Sequence, residues 1–243
     1  MGERTQVLHR DAKEQTPTLS RVAYDRIRHE ILAGTLASDQ PLRLEALRDR
    51  YGLSFSPLRE ALNKLQAERL VTLSSKRGFR VAPFSLVDMW DALDTRMLIE
   101  SQAMRLSVAN GDDDWEGAVV SSFHALEKSR QRLGMPDVHE AELVNLEARH
   151  QAFHTTLLAA CPSALLLQLS ATLYAQTERY RRPLLTMQTP ETVSANPDDD
   201  HRAMLAAALA RDADRAVELL CEHLRGTGRF IEAAHARREL AAA

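Results

Sequence analysis

The sequence predicts a mainly α protein in two parts, a unit of three helices closed by a hairpin and then an all-α bundle of about six helices. Three observations predict it. Glycine and proline together number 18 of 243 residues, about 7% against a usual share of roughly 12%, so chain-breakers are few. Apolar residues make up 44% of the chain and aromatics only 5%, which favours packed helices over a sandwich or barrel. Helical apolar spacing then recurs along the chain, with one stretch that reads as strands, between Leu70 and Val81.

Residues 1–17 are polar and aperiodic, and a disordered tail is expected there. Ser20 is placed to cap a helix with Ala23, Ile27 and Ile31 on one face, closed by Gly34. After a loop with Pro41, the residues Leu44, Leu47 and Tyr51 mark a short helix that stops at Gly52. Pro57 suits the first turn of a third helix, whose apolar side is Leu58, Leu62 and Leu65, with Arg59, Asn63 and Gln66 facing elsewhere. Leu70–Leu73 and Phe79–Val81 read as strands joined by a basic turn through Lys76, Arg77 and Gly78. Three helices and a basic hairpin make a winged helix-turn-helix, expected over 18–83. From 84 to 237 every segment reads as helical. Ser85 and Asp88 open a long helix to about Ala109, and Gly111 breaks it. Further helices are expected at about 115–133, 138–160, 163–181, 198–210 and 213–236, with breaks at Pro136, Pro162 and Thr189–Pro197.

Several classes are excluded on composition. Cys161 and Cys221 cannot form a disulfide framework, and a reducing cytoplasm is the simpler expectation. Met1 to Pro17 lacks the apolar core of a signal peptide. The longest charge-free run, Thr155 to Thr177, is interrupted by Pro162 and reads as two buried helices rather than a membrane span. Charge is divided unevenly. Residues 1–83 hold 15 Lys+Arg and 10 Asp+Glu, a net of +5, and the remainder hold 16 and 24, a net of −8. A basic front end behind which the chain is acidic points to a polyanion as partner of the front end alone.

A helix-turn-helix lays its second helix in the major groove, with the N-terminal residues of that helix reaching bases and phosphates. Those residues here are Ser54, Phe55, Ser56 and Arg59, with Lys64 further along. Arg59 suits a bidentate guanine contact or a phosphate, and Arg77 beside Gly78 suits entry of the hairpin tip toward the minor groove. The same residues also fit a solvated basic helix in a small cap domain. The run Gly52-Leu53-Ser54-Phe55-Ser56-Pro57-Leu58-Arg59-Glu60-Ala61-Leu62, then Ala67–Val71 and Lys76–Val81, resembles the DNA-binding signature of GntR-type bacterial regulators. The family usually has arginine after the first serine, where this chain has Phe55. Arg59 is therefore the stronger candidate for a base contact, and Phe55 is left with a thymine methyl or with packing.

In the second part, His150 and His154 are spaced i,i+4 on a helix that carries Leu143, Leu146 and Leu157. His201 is in phase with Leu205, and His223 with Leu219 and Leu220. Buried imidazoles need partners, and a shared divalent ion would satisfy all four. Imidazole suits zinc, nickel or iron, with zinc or nickel the first expectation, and scattered structural histidines are the alternative. A zincin is excluded, since Gln151 stands where the general-base glutamate would be.

Arg96–Glu100, Phe153-His154, His201 with Leu205 and His223-Leu224 resemble the helical ligand-binding (FCD) domain of the FadR subgroup. The resemblance implies that an aspartate four residues before the Phe-His histidine joins three histidines around a metal. Here that position is His150, giving four histidines and one negative charge fewer. The string His150–His154 is similar to members that regulate breakdown of short carboxylic acids, the carbon-starvation repressor type included. The two resemblances cover roughly residues 20–230 and imply a cytoplasmic homodimeric regulator, a repressor by the commoner mode, that binds double-stranded operator DNA. The implied effector is a small carboxylate held by the metal and Arg96, with Arg149, Tyr180 and Arg181 as further pocket candidates. A metal-dependent hydrolase or lyase, and an effector-independent DNA-binding protein with structural histidines, are the alternatives. The first conflicts with four protein ligands filling the coordination shell, because a catalytic site keeps a position open.

Overall fold

The computed structural model describes residues 17–133, 140–185 and 197–242 of the chain. The expected tail and the expected breaks at Pro136 and Thr189–Pro197 fall, Pro17 and Pro197 apart, outside the described residues. Helix α1 (Leu19–Leu32) is capped two residues before the expected position. Thr18 has the extended backbone that a cap requires, and its Oγ1 accepts from the Arg21 amide at 3.2 Å. Ser20 lies inside the first turn and is not the cap. Helices α2 (Leu44–Tyr51) and α3 (Phe55–Ala67) are joined through Gly52, whose φ of 68° turns the chain tightly. The hairpin pairs β1 (Val71–Ser74) with β2 (Gly78–Val81), antiparallel, from Val71↔Val81 to Ser74↔Gly78. Leu70, expected in the strand, instead closes α3 by donating its amide to the Leu65 carbonyl. Pro41, expected in a loop, forms a single bridge to Arg80 and so gives the hairpin a short third edge.

Apolar phase explains this unit. Ile27, Leu32, Leu58, Leu62, Leu65 and Leu70 are fully buried in one core, while Arg59, Asn63 and Gln66 are exposed on the opposite side of α3. Burying a leucine of this kind contributes about 1.5–3 kcal/mol, so Leu58, Leu62 and Leu65 fix the orientation of α3.

Among the described residues six helices follow: α4 (Leu86–Asn110), α5 (Asp113–Leu133), α6 (Glu140–Leu157), α7 (Ala164–Leu185), α8 (Pro197–Leu209) and α9 (Ala213–Ala242). Ser85 caps α4, its Oγ accepting from the Asp88 amide at 3.1 Å. Helix α4 packs between α7 and α9, α5 lies along α6, and α8 lies along α9. Gly228 of α9 leaves room for the Trp90 ring of α4, against which any Cβ would collide. Met89, Leu93, Met104, Phe153, Leu157, Met204 and Ala208 form the fully buried centre of this second core.

The two parts touch where α1 meets α7. Arg28 Nη2 donates to Glu178 Oε2, and the Arg179 guanidinium donates to the Ala82 and Pro83 carbonyls at 3.2 and 3.1 Å. Helix α7 therefore holds both the α1 face and the chain leaving the hairpin.

Candidate functional site

Helix α3 presents its N-terminal end outward. Ser54, Phe55, Ser56 and Arg59 are all exposed, and Ser54 occupies the cap position without closing a side-chain hydrogen bond. The amides and the positive end of the helix dipole are thus free for an anion. Phe55 is 41% exposed, with the Arg48 guanidinium 5.3 Å from its ring centre. Lys64 is exposed further along α3, and its ammonium lies 4.0 Å from the centre of the Tyr24 ring of α1. Arg77 stands exposed at the hairpin tip, and its amide closes the turn onto Ser74. Gly78 follows with φ 67°, a conformation costly for other residues.

The four histidines converge in the bundle core. His150 and His154 come from α6, His201 from α8 and His223 from α9, and all four are buried. One ring nitrogen of each lies within 4.8 Å of those of the others, and His154 Nε2 is 3.2 Å from His201 Nε2. Zinc–nitrogen bonds of about 2.0–2.1 Å place tetrahedral donors about 3.4 Å apart, so the widest separation would contract by no more than about 1.4 Å.

Outer partners orient the rings. His150 Nδ1 is 2.9 Å from the Tyr174 hydroxyl, His201 Nδ1 is 3.3 Å from Arg130 Nη2, and His223 Nδ1 is 3.5 Å from Asp200 Oδ2. Such contacts fix ring orientation in metal sites. Burial, reinforced by Arg181 and the neighbouring rings, holds His150 well below the usual imidazole pKa. Burial and the His201 and His223 rings do the same to His154. His223 is also lowered by burial, against the opposing pull of Asp200. These rings are neutral at pH 7 and offer lone pairs rather than protons. The donor set fits a divalent ion.

Charged groups ring the centre in pairs. Arg96, 5% exposed, donates Nε to Glu100 Oε1 at 2.7 Å and Nη1 to Thr177 Oγ1 at 3.1 Å. Its guanidinium stacks 4.7 Å from the Tyr174 ring centre, and its Nη2 is buried without a hydrogen-bond partner. Arg181 pairs with Glu147 at 2.7 Å and donates to the Tyr174 hydroxyl at 3.1 Å. Burial, only partly offset by Arg181, raises the Glu147 carboxyl above its usual value.

Two sequence candidates leave this site. Arg149 is exposed, because one residue of helix turns it about 100° away from its neighbour His150. Tyr180 is buried at the junction of the two parts, edge-on to Phe84 at 5.2 Å, and lines a 430 Å³ cleft with Gln66, Arg69, Asp88, Gln176 and Arg179. Tyr174, Thr177, Glu147 and Glu100 were not singled out in the sequence. A signal existed for α7, since positions 174, 177 and 181 recur at helical spacing on one face.

Residues 19–81 match the family model described as bacterial regulatory proteins, gntR family, and residues 91–226 match the FCD domain. The HTH-type transcriptional regulator BphR of Paraburkholderia xenovorans is 41% identical over 208 residues, 85% of this chain and 82% of that protein. The HTH-type transcriptional repressor GlaR of Escherichia coli is 39% identical over 206 residues, covering 83% and 90%. Among solved structures, E. coli McbR/YncC superposes with a TM-score of 0.73 at 16% identity, over 90% of this chain and all of that one, a likeness of fold. A GntR family member from Pseudomonas syringae has a TM-score of 0.54 at 27% identity, covering 95% and 92%.

Proposed function

Because the chain belongs to the gntR family of bacterial regulatory proteins and carries an FCD domain behind that DNA-binding unit, we propose a repressor whose hold on its operator answers to a small carboxylate bound beside a metal. The chain is a DNA-binding transcriptional regulator, and its relatives are named as regulators, not as enzymes. Among the described residues no helix is long and apolar enough to cross a membrane, and the proposed place of action is the cytoplasm. Two copies would read a near-palindromic site, as two-fold protein symmetry requires. Ser54, Ser56, Arg59, Arg77 and Gly78 are the proposed DNA contacts.

The observation that carries the effector half is the convergence of four buried imidazoles on one point. His150, His154, His201 and His223 would hold zinc or nickel, and the ion's charge of +2 would attract a carboxylate beside it without displacing a histidine. The four ligands contribute no negative charge to offset it. Arg96 would take the far end of a dicarboxylate on its unpartnered Nη2, with Glu100 and Thr177 keeping the guanidinium in place.

Helix α7 gives the route to DNA. Tyr174, Thr177 and Arg181 face the histidine centre, while Glu178 and Arg179 hold Arg28 and the Ala82 and Pro83 carbonyls. A ligand that favours one position of α7 therefore favours one placement of α1 and α3. A coupling of about 1–3 kcal/mol is usual for such linkage and would weaken operator binding about 5–150-fold.

The test uses full-length protein stripped by chelator and reloaded with zinc or nickel. Short mono- and dicarboxylates are screened by thermal shift, and stabilising ones are then assayed for release of a selected operator duplex. Metal-dependent stabilisation coupled to release supports the reading. Uncharged compounds as the sole stabilising ligands, or no uptake of either metal, would overturn it.

A further inference from the structure

Phe55 is an aromatic residue at the first position of the reading helix, it is 41% exposed, and it belongs to neither core. Hydrophobic burial therefore does not explain it. Its one cation–π partner among the described residues is Arg48, on the preceding helix, with the guanidinium carbon 5.3 Å from the ring centre. The turn makes this meeting possible. The Gly52 amide donates to the Arg48 carbonyl at 2.9 Å, its positive φ ends α2, and α3 begins three residues later. The side chain one turn before the glycine is thereby brought over the first residue after the loop.

We infer that Arg48 supplies the cation that meets DNA at the entrance of the reading helix, and that Phe55 positions it there. Phe55 itself carries no charge, so the charge arrives sideways from α2. The first helix of a helix-turn-helix crosses the sugar-phosphate backbone, so the group that Arg48 meets is a phosphate. A planar guanidinium stacks on a ring face while its edge nitrogens stay available for oxygen. Arg48 also shares Asp49 Oδ1 through Nε and Nη2 at 3.0 and 2.9 Å. That carboxylate is 68% exposed. An exposed pair of this kind contributes little and yields to a polyanion, whereas the ring imposes direction without competing charge. Phe55 thus acts through Arg48 and is a positioning residue.

This inference rests on the DNA-reading assignment of α3, and the test separates the two. Wild type selects its site from a random duplex pool. The affinity of wild type, Arg48→Ala, Phe55→Ala, Phe55→Leu and the double Ala variant for that duplex is then measured by anisotropy over a range of salt. Arg48→Ala should lose on the order of tenfold in affinity, with the log–log salt slope shallower by about 0.9, the signature of one phosphate lost. Phe55→Ala should lose a similar factor and flatten the slope alike, and the double variant should be no worse than Arg48→Ala. Phe55→Leu keeps an apolar side chain without a ring face, and should behave as Phe55→Ala. Unchanged affinity and slope in Arg48→Ala would overturn the inference. So would losses that multiply in the double variant, or full affinity in Phe55→Leu. Failure of wild type to select any duplex would instead strike the assignment of α3 itself.

Discussion

Acid should loosen the metal-free bundle through its buried histidines, and the size of the effect follows from their burial. His150 and His154 have folded pKa values well below 6.5, and His223 is lowered too. Between the folded value and 6.5 the unfolded chain binds protons that the folded chain refuses, so stability is complete above pH 6.5 and falls as pH drops below it. One histidine that stays neutral when folded costs on the order of 1 kcal/mol between about pH 7.5 and about pH 5.5. His150 and His154 together give on the order of 2 kcal/mol, and His223, partly supported by Asp200, adds a fraction more. Glu147 works in the other direction, because a raised carboxyl pKa makes the folded state take up its proton first. A variant removes that ambiguity. Urea unfolding of chelator-treated wild type and His150→Gln at both pH values should show the wild type losing on the order of 1 kcal/mol more than the variant. Parallel losses in the two proteins would refute the claim that His150 is held neutral by burial.

Three further outcomes are expected. Arg59→Ala should lose about 1–3 kcal/mol of operator affinity, measured by anisotropy at fixed salt, with relaxed discrimination at one base pair. Arg96→Ala alone would leave Glu100 buried without its cation, a loss of about 3–5 kcal/mol in stability, so the informative variant is Arg96→Met with Glu100→Gln. It should still bind operator but lose most of its release by carboxylates, and an unaltered release curve would remove Arg96 from the effector site. Glu178→Gln should keep metal uptake while shifting the effector concentration that releases DNA, since it breaks the ion pair to Arg28 without touching the histidines.

The DNA-reading unit was almost wholly readable because its determinants are local. Gly34, Gly52 and Gly78 all adopt the positive φ that their turns require, and the Leu58–Leu62–Leu65 stripe alone orients α3. The one cap misplaced, Ser20 for Thr18, shows the limit of this reading, because both hydroxyls suit the role and backbone dihedrals decide between them. In the bundle, helical phase placed all four histidines inside, yet their meeting depends on how α6, α8 and α9 pack, which no single stretch encodes. Tyr174 escaped notice because its partner His150 lies 24 residues earlier on another helix. Arg149 and Tyr180 adjoin His150 and Arg181 in sequence, and the 100° step of a helix sends such neighbours to different faces.

That same step makes α7 the element on which the two halves depend together. Residues 174, 177 and 181 form one stripe, and 178 and 182 form another about a quarter turn round the helix. The first stripe touches His150 and Arg96; the second touches Arg28 and His29 of α1. Neither stripe moves without the other, because a helix rotates or slides as one body and its charged contacts are buried on one side and half-buried on the other. A packed interior changes between discrete arrangements rather than by continuous deformation. Under the proposed function an effector needs no contact with the DNA-binding unit. It would need only to bind the histidine centre better in one arrangement of α7 than in the other, and that difference in affinity would set the whole regulatory range.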